Sequence, residues 1–234
     1  MRVLAVGAHP DDLEILCGGT LARYVAEGHE VVMATVANGD LGSFVHQRAE
    51  IAGLRAEEAR ASAAIAGAEL MTLGVPDGEV SAASPDQRRM VIDLVREARP
   101  DVIITHPPND YMTDHNQASQ LVFDTSFLAT LPLLQTTHPH HGTVTPLLYM
   151  DTIAGLQFEP SEFVDITDHL ETKLSMFAAH RTQLEWLRDH DDVDMLEQLR
   201  TVARFRGLQC GVQYAEGFRP CNVWLRATTR RLLP

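Results

Sequence analysis

The chain has 234 residues, a length that suits one domain with a substantial hydrophobic core, so we expect a single domain over residues 1–234. Its apolar content of 45% and charged content of 22% are typical of globular proteins. The net charge of −13 argues against partners such as nucleic acid or an anionic membrane, because both need a basic protein surface.

Cysteine usage and hydropathy indicate where the protein works. The three cysteines, Cys17, Cys210 and Cys221, form no CxxC pair and no even-numbered framework, which is typical of a reducing compartment. The first apolar run is too short for a signal peptide, and no stretch approaches the ~20 apolar residues of a membrane helix. We therefore expect a cytoplasmic protein.

Strands and helices are predicted to alternate along residues 1–151. In chain order, the pattern predicts a strand at 2–7, a helix at 18–27, a strand at 30–36, a helix at 48–66, a strand at 69–73, a helix at 86–98, a strand at 101–105, a helix at 116–130 and a strand at 147–151. Residues 168–206 are then mostly helical with a break near 188–193, and the tail at 221–229 suits an edge strand. This order predicts an α/β fold, a Rossmann-like three-layer α/β/α arrangement with a mostly parallel sheet and a helical C-terminal portion.

Polar loops follow three of the predicted strands. In a parallel sheet, sites form where the carboxyl ends of the strands meet, so the loops at 9–12, 38–46 and 106–115 are expected to converge. Among the side chains of the first and third loops, these can bind a metal or a proton: His9, Asp11, Asp12, Asp110, Asp114 and His115.

Catalytic zinc typically takes three protein ligands from His and carboxylate and leaves a fourth position for water. The set His9, Asp12 and His115 fits that requirement. Asp11 is then free to act as general base on water whose pKa the metal lowers to about 7. Asp114 is placed to orient a neighbouring histidine.

Simpler explanations exist for some of these residues. Asp12 can be the N-cap of a helix, and Asp110 and Asp114 taken singly are ordinary loop residues. The histidines at 138, 140 and 141 resemble a metal-binding tract, but a flexible exposed loop is the better interpretation.

Other catalytic classes are disfavoured. Gly18 and Gly19 do not belong to a GxGxxG pattern, and acidic residues occupy the position where a phosphate would bind, so a nucleotide cofactor is not expected. No Ser or Cys stands in a nucleophile-elbow context, and Cys17 is expected to pack rather than react.

The segment AHPDDLEILCGGT at residues 8–20 closely resembles the AHPDD…GGT signature of the LmbE-like, or PIG-L, zinc-dependent N-deacetylases. HPPNDYMTDH at 106–115 resembles their second motif, which ends in the same Asp-His pair. Four further segments match in order: RAEEARASAAIAG at 55–67, VPDGEV at 75–80, KLSMFAAHRTQ at 173–183 and YAEGFR at 214–219. The last two resemble the branch that contains the bacillithiol-pathway deacetylases, so the resemblance spans most of the chain.

The resemblance implies a role for each matching residue. His9, Asp12 and His115 would bind zinc, Asp11 would be the general base, and Asp114 would be the carboxylate behind the ligands. Arg55 would fall at the active-site arginine that helps bind substrate. The implied reaction is hydrolysis of an acetamide, usually on an N-acetylglucosamine unit, to a free amine and acetate. Relatives often form homo-oligomers; that is analogy alone, and the sequence leaves the oligomeric state of this chain open.

Met112 departs from the family pattern. Many members carry a histidine at this position, three residues before the ligand histidine, and that histidine is thought to stabilise the oxyanion or protonate the leaving group. A thioether is only a weak acceptor and does neither. His106 or a histidine from 138–141 can replace it, the metal and Asp11 can suffice, or the protein is a repurposed member. A lesser departure is Leu16, where a glycine is common.

Three functional hypotheses follow. The first is a zinc-dependent deacetylase of an N-acetyl sugar or related small amide, with Fe²⁺ as the alternative metal in the cell, since such sites accept both. The second is an amidase that cleaves a larger N-acyl group or a thiol-conjugate amide. The third is a non-catalytic protein that binds zinc or sugar. Loops 38–47 and 132–145 and the C-terminal region are expected to wall the pocket.

Overall fold

Short runs of β-branched and apolar residues form the strands of one sheet in the computed structural model, which describes residues 1–234. The strands are β1 (Arg2–Gly7), β2 (Glu30–Ala37), β3 (Glu69–Val75), β4 (Val102–Thr105), β5 (Leu147–Met150), β6 (Glu162–Asp165) and β7 (Ala215–Pro220). Their order across the sheet is β3-β2-β1-β4-β5-β7-β6. The first five strands pair in parallel, and β7 pairs antiparallel with both β5 and β6.

Helices cover both faces of this sheet. They are α1 (Asp12–Ala26), α2 (Arg48–Ala66), α3 (Pro85–Ala98), α4 (Thr113–Leu128), α5 (Leu170–Ala178), α6 (Arg181–Asp191) and α7 (Met195–Cys210). One core cluster contains residues of α1, α2, α5 and α7, and a second cluster contains residues of α3 and α4. Alternate residues of β1 enter the two clusters, with Val3 in the first and Leu4 in the second. The predicted three-layer α/β fold is confirmed.

Helix α1 begins six positions earlier than predicted, at Asp12 instead of residue 18. Every residue from 12 to 22 is buried, so the first part of the helix has no polar face and shows no amphipathic period. Asp11 precedes it with φ 112°, in the left-handed region. This backbone turns the chain directly from the loop after β1 into the helix and fixes the side chains at its start.

The C-terminal part differs from the prediction at the sheet edge. The tail at 221–229 forms no strand; the observed strand is β7, which lies between β5 and β6 rather than at an edge. Leu225 adopts φ 68°, and the side chain of Trp224 is 86% exposed, so this tail turns at the surface. The four-residue strand β6, too short to show a pattern, was not predicted.

A buried ion pair joins the C-terminal elements to α1. Nζ of Lys173 in α5 lies 2.5 Å from Oε1 of Glu216 in β7 and also donates to the carbonyl of Ile15 at 2.8 Å. Glu216 accepts hydrogen bonds from the backbone N–H groups of Gly19 and Thr20 at 3.0 and 2.7 Å. These contacts fix the helix that follows the first polar loop. None of the helices combines the length and hydrophobicity needed to cross a bilayer.

Candidate metal centre and its cleft

Three side chains from two segments of the chain meet at the carboxyl edge of the sheet. His9 and Asp12 follow β1, and His115 lies in the first turn of α4, after β4. All three are buried and offer ligand atoms that lie within 4.8 Å of one another. Nε2 of His115 is 3.2 Å from Oδ1 of Asp12, and Nδ1 of His9 is 3.6 Å from Oδ2 of Asp12. The structure therefore brings together the three residues predicted as ligands.

Each of the two imidazoles has a carboxylate on its other nitrogen. Nε2 of His9 lies 3.1 Å from Oδ2 of Asp114, which also accepts the Gly78 N–H at 2.7 Å. Nδ1 of His115 lies 3.2 Å from Oδ2 of Asp110. A carboxylate in this position fixes the orientation of the ring and points its free nitrogen at the metal position. Asp114 thus orients His9 rather than its sequence neighbour, and Asp110, treated as a loop residue above, joins the site.

The charges at this centre suit a cation. Burial lowers the pKa of His9, but the hydrogen bonds to Asp114 and Asp12 outweigh it and raise the pKa to about 10. Burial acts likewise on His115, whose pKa is raised to about 9 by Asp12 and Asp110. Burial works to raise the pKa of Asp12, yet the charges of His115 and His106 hold that pKa well below its ordinary value. The negative charge of the surrounding carboxylates therefore outweighs the effect of burial on the pKa values of both histidines.

His106 lies behind the centre. Its ring stacks on that of His115 with centroids 4.0 Å apart, and its Nε2 accepts the N–H of Ala8 at 3.0 Å. Burial, together with the charge of His115, lowers the pKa of His106 to about 4. His106, Asp110 and His115 form a second group with ligand atoms within 4.8 Å, but His106 is fully buried and does not line the cleft. It therefore does not replace the donor absent at Met112.

Asp11 is buried beside the three candidate ligands and lines the cleft. Its Oδ2 lies 3.5 Å from Nη2 of Arg55 and accepts no hydrogen bond. Burial raises the pKa of Asp11, the charge of Arg55 lowers it, and the net result is a pKa of about 6. A carboxyl group with a pKa near neutrality can both take up and release a proton.

Arg55 in α2 joins two of the loops at the site. It donates to the carbonyl of Pro10 at 2.6 Å and to the carbonyl of Gly39 at 3.3 Å. Gly39 has φ 76°, and a Cβ at that position would lie 2.6 Å from Cδ of Arg55. The loop after β2 therefore packs directly on the guanidinium, which is buried and faces Asp11. The role of Arg55 in binding substrate stays a prediction.

The centre opens into a cleft of about 680 Å³. Beyond the centre itself, the cleft is lined by Leu41, Gly42, Tyr111, Met112, Thr113, Ile153, Gln183, Trp186, Leu187, Asp191, Val193, Met195 and Gln198. Two of the three predicted walls are therefore present, the loop after β2 and the C-terminal helices. Met112 lies at the opening and is 38% exposed, next to the hydroxyl-bearing Tyr111.

The prediction that residues 132–145 form a third wall was wrong, because no residue of this segment lines the cleft. The segment precedes β5, so it lies at the amino end of that strand, while the centre lies at the carboxyl ends of β1 and β4. Its histidines serve elsewhere; the N–H of His138, for example, donates to Asp93 at 2.9 Å. None of them reaches the space beside Met112.

Comparisons with known proteins agree with this geometry. A family model described as "PIG-L: GlcNAc-PI de-N-acetylase" matches residues 4–126, which include both ligand-bearing loops. A diacetylchitobiose deacetylase of Thermococcus kodakarensis is 29% identical, over 93% of this chain and 82% of the relative. A 1D-myo-inositol 2-acetamido-2-deoxy-alpha-D-glucopyranoside deacetylase of Saccharopolyspora erythraea is 30% identical, over 80% of this chain and 79% of the relative. The structure of N,N'-diacetylchitobiose deacetylase from Pyrococcus horikoshii superimposes with a TM-score of 0.81 at 27% identity, over 93% of this chain and 82% of that one.

Proposed function

The chain belongs to the PIG-L family of de-N-acetylases, and from that premise we propose that it is a metal-dependent hydrolase of N-acetylated sugars. It removes the acetyl group from an N-acetylglucosamine-type substrate or a related small amide and gives a free amine and acetate. The observation that carries the proposal is the meeting of His9, Asp12 and His115 beside the buried carboxyl group of Asp11 in one cleft.

The residues present fit a divalent metal. Two imidazoles and one carboxylate lie within reach of a common ion, and a carboxylate supports the far nitrogen of each imidazole. We propose that His9, Asp12 and His115 bind zinc, with Fe²⁺ as the alternative in the cell. When bound, such a cation polarises a carbonyl group and lowers the pKa of water.

Asp11 carries the proton transfers in this proposal. Its carboxylate takes a proton from the attacking water as the water oxygen bonds to the acetyl carbon. The protonated carboxyl group then gives that proton to the amide nitrogen as the C–N bond breaks, so a neutral amine and acetic acid leave, and the acid ionises to acetate in water. The pKa of about 6 supports both steps, because neither protonation state is strongly disfavoured near neutral pH.

Arg55 acts on Asp11 in two ways. Its charge lowers the pKa that burial raises, which keeps Asp11 ionised in the resting protein. Its hydrogen bond to the Pro10 carbonyl holds the backbone just before Asp11. Tyr111 is the hydroxyl donor beside Met112 at the cleft opening, and we propose that it supplies the hydrogen bond to the substrate that Met112 does not.

The experiment is a test of acetate release by purified protein carrying one equivalent of zinc. We expect acetate from N-acetylglucosamine or its β-linked dimer. We expect no turnover by Asp11→Asn, which should retain the metal, and loss of most bound zinc by His115→Ala. Asp124→Asn is the matched control, because Asp124 lies on the same helix as His115 but pairs with Arg88 outside the cleft.

Each alternative gives a different result in the same assay. If larger N-acyl amides are cleaved in an Asp11-dependent way and N-acetyl sugars are not, the protein is an amidase of another substrate class. If the wild-type protein binds zinc but is as inert as Asp11→Asn on every amide, the proposal is wrong and a binding protein is indicated.

A further inference from the structure

The turn after β3 carries a carboxylate that the proposed chemistry does not use. Asp77 lines the cleft, and both of its oxygens accept hydrogen bonds from the loop after β2. The N–H of Gly39 donates to one oxygen at 2.7 Å, and the N–H of Leu41 donates to the other at 3.2 Å. The contact is reciprocal, because the N–H of Asp77 donates to the carboxylate of Asp40 at 3.0 Å. Hydrogen bonds therefore join the turn and the loop in both directions.

Burial of apolar side chains does not hold this loop in place. The side chains of Leu41, Phe44 and Val45 are 53%, 69% and 80% exposed. Phe44 contacts the ring of Trp186 at the surface, with centroids 4.7 Å apart, but neither ring belongs to a core cluster. Hydrogen bonds to a carboxylate are charge-assisted and stronger than those between neutral groups. The position of the loop therefore depends on Asp77.

The position of this loop matters because the loop lies on Arg55. Arg55 donates to the carbonyl of Gly39 at 3.3 Å, and a Cβ on Gly39 would lie 2.6 Å from Cδ of Arg55. Nη2 of Arg55 lies 3.5 Å from Oδ2 of Asp11. Gly39 thus has Asp77 on its N–H and Arg55 on its carbonyl. A continuous series of contacts leads from Asp77 through Gly39 and Arg55 to Asp11.

The same turn also contacts the other side of the metal centre. The N–H of Gly78 donates to Oδ2 of Asp114 at 2.7 Å, and that oxygen lies 3.1 Å from Nε2 of His9. This contact uses the backbone of Gly78, whereas the contact with the loop uses the side chain of Asp77. A substitution of the Asp77 side chain therefore removes the support of Arg55 and leaves the donor to Asp114 in place.

We propose that Asp77 is a positioning residue: it holds the loop after β2 on Arg55 and so fixes the guanidinium that faces Asp11. This inference rests on the proposed function, in which Asp11 transfers the proton. A misplacement of about 1 Å in an active site can cost about 100-fold in rate, even when the change lies away from the reacting atoms. Both oxygens of Asp77 are occupied by backbone N–H groups, so the residue acts on the chemistry through the loop rather than on the substrate.

The first test measures the loop itself and does not depend on turnover. In zinc-loaded Asp77→Ala, the amides of Gly39 and Leu41 lose their acceptor, so hydrogen exchange over residues 38–47 should be about tenfold faster. Asp77→Asn keeps one acceptor oxygen and should show a smaller increase. Asp93→Ala is the matched control, because Asp93 also accepts a loop N–H, that of His138 at 2.9 Å, but lies outside the cleft. Wild-type exchange of the loop in Asp77→Ala overturns the proposal.

The second test separates positioning from substrate binding. Asp77→Ala should lower kcat for N-acetylglucosamine by about tenfold or more, with KM within about twofold of the wild-type value. Zinc affinity, measured by competition with a chromogenic chelator, should be unchanged, because the Gly78 N–H still holds Asp114. A rise in KM alone, with unchanged exchange of the loop, would assign Asp77 to substrate binding and overturn the proposal.

The variant Asp77→Asn separates positioning from charge and covers the case of an Asp77→Ala variant that folds poorly. It removes the charge but keeps an acceptor, so it should recover part of kcat. If Asp77→Asn is as impaired as Asp77→Ala, the charge of Asp77 is what matters and the proposal is wrong. Parallel losses of kcat, zinc affinity and unfolding free energy would assign a merely structural role and also overturn it.

A double-mutant cycle tests the route through Arg55. Arg55→Lys removes the planar group that contacts Gly39 and keeps a positive charge. Asp77→Ala should cost about tenfold in kcat in the wild-type protein but less than about twofold in Arg55→Lys. Additive losses overturn the route. If the proposed deacetylation fails instead, wild-type protein releases no acetate from any amide, while the faster exchange of the loop in Asp77→Ala is still measured.

Discussion

The carboxylate of Asp114 accepts a hydrogen bond from Nε2 of His9 at 3.1 Å, across 105 positions of the chain. His115, its immediate neighbour in sequence, is instead supported by Asp110 at 3.2 Å. The segment after β4, which runs into the first turn of α4, therefore orients both candidate histidine ligands, His9 and His115. Loss of Asp114 should therefore affect metal binding through His9, and loss of Asp110 should affect it through His115.

Asp114→Asn should weaken metal binding. The change removes the negative charge on the far side of His9, so the ring loses both its fixed orientation and part of its basicity. Loss of a supporting carboxylate typically costs about 10–100-fold in metal affinity. Competition titration with a chromogenic zinc chelator measures the effect. Asp110→Asn should give a similar loss through His115.

Asp124→Asn serves as the control, because it removes a carboxylate from the same helix without touching either histidine. The orienting roles would be ruled out if all three variants bound zinc with the affinity of the wild type.

Gly39→Ala should reduce the activity of the protein more than it reduces the stability of the protein. Gly39 and Gly28 have similar backbones, with φ 76° and 82°, so an alanine costs about 1 kcal/mol of backbone strain at either position. At Gly28 the added Cβ meets nothing within 4 Å, whereas at Gly39 it lies 2.6 Å from Cδ of Arg55. The guanidinium must then move away from Asp11.

We expect Gly28→Ala to keep full deacetylase activity and Gly39→Ala to lose at least about tenfold in kcat/KM, because the guanidinium that we propose acts on Asp11 is displaced. Kinetics and urea unfolding on the two variants make the comparison. Equal activity in both would show that the position of Arg55 does not matter to the reaction.

Local sequence patterns predicted most of the strands and helices of the fold. The strand at Arg2–Gly7 and the helix at Arg48–Ala66 have the predicted bounds, because β-branched runs and an Ala-, Glu- and Arg-rich segment ended by Gly67 are strong local preferences. The start of α1 was missed because a helix buried on all sides carries no periodic signal. The edge strand at 221–229 was wrong because the β-branched and aromatic residues there are exposed at a turn.

The candidate site was predictable where one short segment carries several functional groups. Residues 9–12 contain half of it, and the Asp-His pair at 114–115 points to the other half. Asp110 gave no such signal, since an aspartate in a polar loop is common and its role depends on the fold of that loop around His115. The contact of Phe44 with Trp186 depends on how α6 packs over a loop 140 residues earlier, which no local pattern specifies.

Lys173→Met should destabilise the protein by about 3 kcal/mol, because it leaves the buried carboxylate of Glu216 without its charged partner. It also removes the donor to the Ile15 carbonyl in α1. Arg200→Met is the matched control: Arg200 pairs with Glu171 at 2.8 Å, but both side chains are exposed, so little change is expected. Urea unfolding measures both. Similar small effects in the two variants would mean that the buried pair does not stabilise α1.

A second buried pair lies between α1 and the segment before α6. Nε2 of His180 is 3.0 Å from Oε1 of Glu14, which also accepts the Ser62 hydroxyl at 2.5 Å. Burial lowers the pKa of His180, but the charge and hydrogen bond of Glu14 outweigh it, so the pKa is raised above its ordinary value of 6.5. Asp11 adds to the increase and Arg55 opposes it.

His180→Gln should therefore destabilise the protein in a pH-dependent way. A raised pKa in the folded state means that protonated His180 stabilises the fold fully below pH 6.5, and that this contribution is lost as pH rises through the folded value. Glu14, whose pKa is lowered from 4.5, adds stability that is present above pH 4.5 and lost as pH falls through its folded value. The difference in unfolding free energy between wild type and His180→Gln should thus be largest between pH 4.5 and 6.5 and shrink at higher pH. Urea unfolding across this range measures it; a difference that grows above pH 6.5 would mean that His180 is neutral in the folded protein.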